Sequence, residues 1–233
     1  MNKINLNCDV GECQNNEEQL LPHLYACNIA CGGHFGDFNT MNKVVKIALK
    51  NNVKIGAHPS YPDKINFGRK TIAISDSELI KSIQHQIDDL LVVLKKHDKH
   101  LHHIKPHGAL YNDIAKDKKR ALIFLKAIEK YKNIKLFVPF NSEIEKEAIK
   151  QGVSIIYEGF ADINYNNDLT LVSRNLKNAV LTDIDKIRNH INSMLLQKEV
   201  VSISGKKIFI KVETFCVHSD TENAISIVEQ LQN

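Results

Sequence analysis

Residues 75–108, SDSELIKSIQHQIDDLLVVLKKHDKHLHHIKPHG, place a helix pattern directly before a strand pattern. Ser75 and Glu78 have the spacing of a capping box, in which both side chains bind backbone N–H groups that a helix start leaves unpaired. Apolar residues then recur every three or four positions as far as Leu94, which predicts a helix with one face on a core. The run LHHIKPHG (101–108) that follows is strand-like. The stretch therefore predicts one helix that leads into one strand.

The same alternation continues on both sides of this stretch. An earlier helix pattern runs from Met41 to Leu49, again with apolar residues three or four positions apart. The other strand-like runs are INLNCD (4–9), CNIACGG (27–33), VKIGAH (53–58), IKLFVPF (134–140), SIIYEGF (154–160) and KIFIKVETFCVH (207–218). Strands that alternate with helices at this pace predict right-handed βαβ units and a parallel sheet.

The strand count alone separates a barrel from an open sheet only weakly. Seven or eight strands fit a closed or distorted (β/α) barrel, whereas six would fit a doubly wound sheet. The run VVSISGKKIFI (200–210) predicts a β-hairpin that turns at Ser204 and Gly205, which favours an irregular barrel. We therefore expect an α/β fold, a distorted (β/α)7–8 barrel. Residues 1–233 form one predicted domain with a hairpin insertion around 199–210, because neither a linker nor a low-complexity segment interrupts the sequence.

Composition excludes several classes of protein. The 31 basic and 27 acidic residues are dispersed, so the net charge of +4 predicts no nucleic-acid partner. No run approaches the roughly 18 apolar residues of a membrane span, and the N-terminus lacks the apolar region of a signal peptide. The five cysteines are odd in number and include no CxxC pair, which predicts reduced thiols in a cytoplasmic protein and argues against structural zinc.

Polar and titratable residues follow the apolar runs at their C-terminal ends. They are Asn7, Asp9, Glu12, Asn28, His34, Asp37, His58, Lys105, His107, Glu158, Asp162, His218 and Asp220. In a parallel barrel the C-terminal strand ends share one rim, where active sites are built from successive loops. One such histidine or aspartate alone is more often a turn residue or a helix cap. Four histidines at strand ends are not explained by capping, and the set predicts an active-site rim.

Common nucleotide-binding and nucleophile motifs are absent from the sequence. Glycines 32, 33 and 36 flank His34, and Gly68 precedes Arg69, so backbone N–H groups could approach a ligand there. Neither G-x-x-x-x-G-K-[ST] nor G-x-G-x-x-G follows a strand, and no G-x-S-x-G occurs. A nucleotide would therefore bind by another arrangement, and a serine-nucleophile hydrolase of the G-x-S-x-G type is excluded.

Seven blocks of sequence, in order over nearly the whole chain, resemble the LamB/YcsF family. They are LNCDVGE (6–12), NIACGGHFGD (28–37), IGAHPSYPD (55–63), FGRK (67–70), KPHGALYN (105–112), FADINY (160–165) and CVHSDT (216–221). The family is similar in fold to the glycoside hydrolase/deacetylase superfamily, which agrees with a distorted barrel. Its pattern has an aromatic residue where this chain has Gly33 and a glycine where it has Ser60.

The resemblance implies a cyclic-amide hydrolase, an ATP-hydrolysing 5-oxoprolinase. This activity opens 5-oxo-L-proline to L-glutamate and cleaves ATP, with Mg²⁺ as the nucleotide's counter-ion, to ADP and phosphate. It also implies two partner subunits, B and C. We expect the catalytic residues to be Asp9, Glu12, His58, Lys105 and His107. We expect the substrate-binding residues to be Asn7, Asn28, His34, Asp37, Arg69, Asn112, Asp162 and His218.

A mechanism follows from these side chains if ATP phosphorylates the amide oxygen. Lys105 would then stabilise the developing phosphate charge, and His58 and His107 would transfer protons. Asp9 and Glu12 would activate water or orient a histidine. Asn28 would hold the polar edge of the substrate.

Two other functions fit the same residues. One is metal-assisted hydrolysis of the deacetylase type, in which Asp9, His58 and His107 or His218 would bind Zn²⁺ or Mn²⁺. The absence of an H-x-x-x-H pair argues against it, so a bound transition metal is not expected. The other is a non-catalytic barrel that binds a small acid.

Overall fold

A computed structural model describes residues 4–232, so residues 1–3 and 233 of the predicted domain lie outside the described part. The strands in chain order are β1 Leu6–Val10, β2 Ala26–Ala30, β3 Lys54–His58, β4 His103–Ile104, β5 Lys135–Pro139, β6 Ile155–Phe160, β7 Glu199–Val201, β8 Lys207–Phe209 and β9 Thr214–Cys216. Strands β1 to β6 pair in parallel in sequence order, and β9 pairs in parallel with both β6 and β1. The predicted distorted barrel is confirmed, with seven strands, and the doubly wound alternative is wrong.

Helices connect most of the barrel strands. They are α1 Glu17–Leu20, α2 Phe38–Lys50, α3 Asp76–Lys96, α4 Gly108–Lys116, α5 Lys118–Ile128, α6 Glu143–Lys150, α7 Ile184–Asn192 and α8 Ala224–Gln232. Helix α3 begins with the predicted capping box. The Ser75 hydroxyl accepts the Glu78 N–H at 3.3 Å, and the Glu78 carboxylate accepts the Ser75 N–H at 3.2 Å. None of the helices within residues 4–232 combines the length and hydropathy that a membrane crossing needs.

The last third of the chain departs from regular alternation. Strands β7 and β8 form an antiparallel pair outside the barrel, with Val200 opposite Ile208. The run at 207–218, predicted as one strand, is divided between β8 and β9. Between them the backbone leaves the β7–β8 pair and joins the barrel. The Ile210 N–H donates to the carbonyl of Lys198 beside β7, and the Glu213 N–H donates to the carbonyl of Tyr157 in β6. One apolar run therefore serves two different sheets.

Polar side chains fill part of the barrel interior. Asn28 Nδ2 donates to Asn7 Oδ1 at 2.9 Å and to Asp9 Oδ1 at 2.7 Å. The ring nitrogen Nε2 of His103 lies 2.6 Å from Asn28 Oδ1, and Asn7 Nδ2 donates to Thr214 Oγ1 at 3.0 Å. Burial lowers the pKa of His103 well below its usual value, so the ring is neutral and donates from Nε2. These bonds join β1, β2, β4 and β9 across the barrel.

Gln86 ties helix α3 to the loop that follows β3. Its side-chain Oε1 accepts the Ser60 N–H at 2.9 Å, and its Nε2 donates to the Ser60 carbonyl at 2.9 Å. Both residues are buried. A buried donor or acceptor left without a partner costs about 1–3 kcal/mol, so this amide holds the loop next to His58.

We predict that Gln86→Met lowers the free energy of unfolding by about 2 kcal/mol or more, because it leaves the buried N–H and carbonyl of Ser60 without partners. Urea unfolding followed by circular dichroism measures the change. Gln84→Met is the matched control on the same helix, where a half-buried amide makes one bond, to the Ala127 carbonyl. Equal stability losses in the two variants would contradict the importance given to Gln86.

Candidate active site

A cavity of about 470 Å³ opens at the carboxyl ends of the barrel strands. Its lining includes all five residues that the sequence predicts to be catalytic: Asp9, Glu12, His58, Lys105 and His107. They come from the ends of β1, β3 and β4 and from the loops that follow. Since β1 to β4 are consecutive in the barrel and their carboxyl ends share one rim, residues almost 100 positions apart in sequence surround one space.

Lys105 is a buried ammonium group held between two carboxylates. Its Nζ lies 2.9 Å from Asp9 Oδ1 and 2.9 Å from Glu158 Oε1, and it donates to Cys216 Sγ at 3.1 Å. Burial alone would lower the pKa of Lys105, but the charge of Asp9, aided by that of Glu158, raises it well above the usual value. Lys105 therefore stays charged.

Asp9 is the point where the charged groups of the cavity meet. Its Oδ1 accepts hydrogen bonds from Lys105 and Asn28, and its Oδ2 lies 3.3 Å from His58 Nε2. Burial would raise the pKa of Asp9, whereas the nearby charges of His58 and Lys105 lower it well below the usual value. The residue is an ionised carboxylate that also reaches the cavity.

Three imidazole rings converge on the carboxylate of Glu12. Its Oε1 lies 2.7 Å from His34 Nε2, 3.2 Å from His107 Nδ1 and 3.6 Å from His58 Nε2. The rings of His34 and His107 are stacked, with centroids 3.7 Å apart. We call this group the histidine cluster: Glu12, His34, His58 and His107.

The protonation of the histidine cluster is uneven. Burial lowers the pKa of His34 to about 4. Burial also pulls down the pKa of His58, but the charges of Asp9 and Glu12 raise it above its usual value. Burial would raise the pKa of Glu12, yet hydrogen bonds from His107 and His34 hold it far below the usual range. The cluster thus carries a negative carboxylate at its centre.

Another part of the cavity lining contains a second set of ionic contacts. Asp162 Oδ1 lies 3.0 Å from His218 Nδ1, and Asp162 Oδ2 accepts the His218 N–H at 2.9 Å. Asp220 bridges two guanidinium groups, at 3.1 Å from Arg69 and 2.8 Å from Arg174. His218, Arg69, Asp220 and Arg174 line the cavity, whereas Asp162 lies behind His218 and orients it. This part of the lining therefore offers two cations to an anionic ligand.

Several predicted substrate-binding residues lie outside the cavity lining. Asn7 and Asn28 are fully buried one layer below it, in the hydrogen-bonded interior of the barrel. His34 is buried behind His107 in the histidine cluster. Asp37 caps helix α2 by accepting the Thr40 N–H at 2.8 Å and does not reach the cavity. These four residues and Asp162 thus lie outside the cavity lining, whereas Arg69, Asn112 and His218 face the space.

The sequence analysis missed Arg174 and its loop. Residues 170–175 line the cavity from the irregular segment between β6 and α7. Two isolated bridges, Ile163 with Val180 and Tyr165 with Leu171, fold this segment over the barrel mouth. Neither a helical nor a strand period marks the segment in the sequence, so the only available signal was an arginine in a loop after a strand.

A closed parallel barrel with a charged cavity at the carboxyl ends of its strands is the architecture of an α/β-barrel enzyme. Residues 4–233 match the LamB/YcsF family, and the chain belongs to that family. It is 36% identical over 236 residues to proteins named as the A subunit of 5-oxoprolinase from Staphylococcus aureus strains bovine RF122/ET3-1 and MSSA476, covering 99% of this chain and 94% of each relative. It also resembles the crystal structure of a lactam utilization protein from Thermus thermophilus, with a TM-score of 0.91, 29% identity and coverage of 99% and 94%.

We predict that Lys105→Met lowers the free energy of unfolding by about 3–5 kcal/mol, because it leaves the carboxylates of Asp9 and Glu158 buried without their cation. The double variant Lys105→Met/Glu158→Gln removes one of those charges and should recover part of the loss. Urea unfolding of both variants at neutral pH makes the comparison. A double variant that is no more stable than the single one would disprove the pairing of Lys105 with Glu158.

Proposed function

We propose that this chain is the A subunit of an ATP-dependent 5-oxoprolinase, a hydrolase that opens the cyclic amide of 5-oxo-L-proline to give L-glutamate. Full-length similarity to proteins that carry this name supports the proposal. In the site, the observation that carries it is the Asp9 carboxylate, which faces the cavity and is kept ionised by Lys105 and His58. An ionised base at a small polar cavity suits the attack of water on an unreactive amide.

ATP supplies the driving force that an unstrained five-membered lactam lacks. Attack of the amide oxygen on the γ-phosphorus of ATP–Mg²⁺ releases ADP and leaves that oxygen phosphorylated, which makes the carbon bonded to it electrophilic. Water then adds to that carbon. Loss of phosphate from this adduct would only regenerate the lactam, so the carbon–nitrogen bond must break instead. The resulting acyl phosphate takes up a second water and yields glutamate and inorganic phosphate.

The cavity side chains match the proton movements of this sequence. Asp9 is the base that accepts a proton from the attacking water, since its Oδ2 faces the cavity while Oδ1 is bound by Lys105. His58 Nε2, 3.3 Å from Asp9 Oδ2, is placed to return a proton to the departing ring nitrogen. His107 Nδ1 lies 3.0 Å from His58 Nε2 and passes protons within the same group.

The geometry suggests a different role for Lys105 than direct binding of phosphate. Asp9 Oδ1 and Cys216 Sγ accept hydrogen bonds from its Nζ at 2.9 and 3.1 Å, and Glu158 Oε1 forms an ion pair with it at 2.9 Å. Lys105 therefore orients Asp9 and keeps it ionised. Arg69 and Arg174, which line the cavity and share Asp220, instead bind the anionic groups of the substrate and of the phosphorylated intermediate.

The proposal includes partners and a location. The lettered name of the relatives implies further subunits, and we assign these as B and C of the 5-oxoprolinase, which would complete ATP use together with this chain. Dependence on ATP fits a cytoplasmic enzyme, as do five cysteines that are all free.

Co-expression with B and C, co-purification and a 5-oxoproline-dependent ATPase assay test the substrate and the partners together. Binding of 5-oxoproline without turnover in that mixture would favour a non-catalytic barrel.

We predict that Asp9→Asn lowers the rate of glutamate formation in the reconstituted three-subunit enzyme by about 10²-fold or more, because the amide keeps the size of the side chain but cannot accept the proton of water. Steady-state assays of glutamate and phosphate release measure the loss. Thermal unfolding of the variant shows whether the barrel is intact.

Asp37→Asn is the control for this substitution. The same chemical change falls on a carboxylate that caps α2 outside the cavity, and asparagine caps helices as well as aspartate does. We expect Asp37→Asn to retain near-normal turnover. Glutamate release that is normal in Asp9→Asn, or equally reduced in both variants, would reject the assignment of Asp9 as the base.

A further inference from the structure

A second cavity adjoins the active-site cavity at the mouth of the barrel. It has a volume of about 290 Å³, and we call it the side cavity. Its lining residues lie within 111–116, 139–142, 158–160 and 165–171, together with Ile210, so it lies at the carboxyl ends of β5 and β6. The residues that line both cavities are Tyr111, Asn112, Lys116, Phe160, Thr170 and Leu171. The two spaces therefore share a wall.

The side cavity contains an aromatic ring that suits stacking. Pro139 and Ile210 contribute apolar wall, and Phe140 is half-buried against the same space. The ring of Phe140 is fixed by Tyr157 and Phe209, whose ring centroids lie 5.7 and 5.5 Å away at interplanar angles of 69° and 76°. A flat ligand that stacks on a ring already held in place immobilises little additional side chain.

The β7–β8 hairpin supports the walls of the side cavity. The Ile203 N–H of its turn donates to the Tyr165 carbonyl at 2.8 Å, which holds the loop after β6 in position. Phe209 of β8 packs on Phe140, and Ile210 lines the space itself. Since the hairpin lies outside the barrel sheet, these contacts give it a role in forming the side cavity.

Cations lie at the shared wall and beyond it. Lys116 lines both cavities, and Arg69 and Arg174 line the active-site cavity. A compartment with an aromatic platform thus leads into a cationic one. The complementary ligand has a flat head and a polyanionic tail, because aromatic rings stack on flat heads and guanidinium groups bind phosphates. A nucleoside triphosphate has this form.

Two carboxylates also line the side cavity, and both have partners within the chain. Glu158 Oε1 lies 2.9 Å from Lys105 Nζ. Asp168 Oδ1 accepts the Thr170 N–H at 3.0 Å and the Thr170 hydroxyl at 2.6 Å. Neither carboxylate therefore requires a cationic group on the ligand.

We propose that the side cavity binds the adenine base of ATP and that the triphosphate extends past Lys116 toward Arg69 and Arg174. The side-chain amides of Asn112 and Asn141 line the side cavity, and each offers a donor and an acceptor to the amino group and ring nitrogens of adenine. A five-membered lactam with one carboxylate leaves most of the 470 Å³ active-site cavity free for the phosphates. The identity of the nucleotide rests on the proposed function.

Photolabelling of the unaltered chain, alone and mixed with the B and C subunits, tests the inference. The probe is 2-azido-ATP with Mg²⁺, whose reactive group is on the base. Mass spectrometry of the labelled peptides should place the label within 139–142 or 165–171 or at Ile210, and excess ATP should prevent it. No labelling that ATP prevents, or labelling only elsewhere in the chain or only on B or C, would overturn the inference.

Phe140→Ala removes the stacking ring. It should raise the ATP concentration that half-prevents labelling by about 10-fold or more, which is the scale of loss when an aromatic platform for a base is removed. In the active three-subunit mixture the KM for ATP should rise similarly, while the KM for 5-oxoproline should stay unchanged.

The matched control is Phe38→Ala, which removes a ring that is 39% exposed on α2 and lines neither cavity. It should leave protection by ATP and both KM values unchanged. Equal effects of the two substitutions, or no effect of Phe140→Ala, would contradict a base stacked on Phe140.

Labelling and lactam-dependent turnover are separate readouts. Label in the side cavity without hydrolysis of 5-oxoproline would reject the proposed function and retain the nucleotide site. Hydrolysis with label confined to B or C would reject the nucleotide site and retain the proposed function.

Discussion

The structure of the cavity depends on one buried ammonium group shared by two carboxylates. Removing Lys105 from water is unfavourable by several kcal/mol, and so is removing Asp9 and Glu158. The three are stable only together, with 2.9 Å contacts on both sides of Nζ. His58, whose pKa is raised despite its burial, lies beside Asp9 and balances the surplus negative charge of this group. The charges of His58 and Lys105 together keep the pKa of Asp9 low, so that Asp9 is ionised.

The contacts of Lys105 form because the barrel closes. Strand β9 pairs with β1, which brings Thr214 against Asn7 and Cys216 against Lys105 across more than 100 residues of sequence. Below the charged layer, Asn28 donates to both Asn7 and Asp9, so Asp9 is fixed by a neutral amide as well as by a cation. A fully apolar barrel interior would leave these groups unsatisfied. The polar interior is therefore a support for the site rather than part of its binding surface.

Sequence periodicity predicted the barrel and the convergence of residues at strand ends, but not the depth of each side chain. Lys105 and His58 line the cavity as their positions at strand ends predict, because parallel strands share one rim. The same rule placed Asn28 and Asp37 there as well. Asn28 points into the barrel one layer lower, and Asp37 caps the start of its own helix, α2. Arg174 lies in a loop without periodicity, where only tertiary contacts determine position.

The loop beside the histidine cluster shows how two departures from the family pattern are accommodated together. A Cβ added at Gly33 would overlap Ser60 Oγ and Gln86 Oε1, so a side chain at 33 requires space that Ser60 now fills. In the pattern that the family resemblance implies, position 33 is aromatic and position 60 is glycine, so this chain has the smaller residue at 33 and the larger one at 60. The absence of a side chain at Gly33 gives the Ser60 hydroxyl and the Gln86 amide their space, and Gln86 binds the backbone of Ser60. The residues at the two positions therefore fit each other in the loop that follows His58.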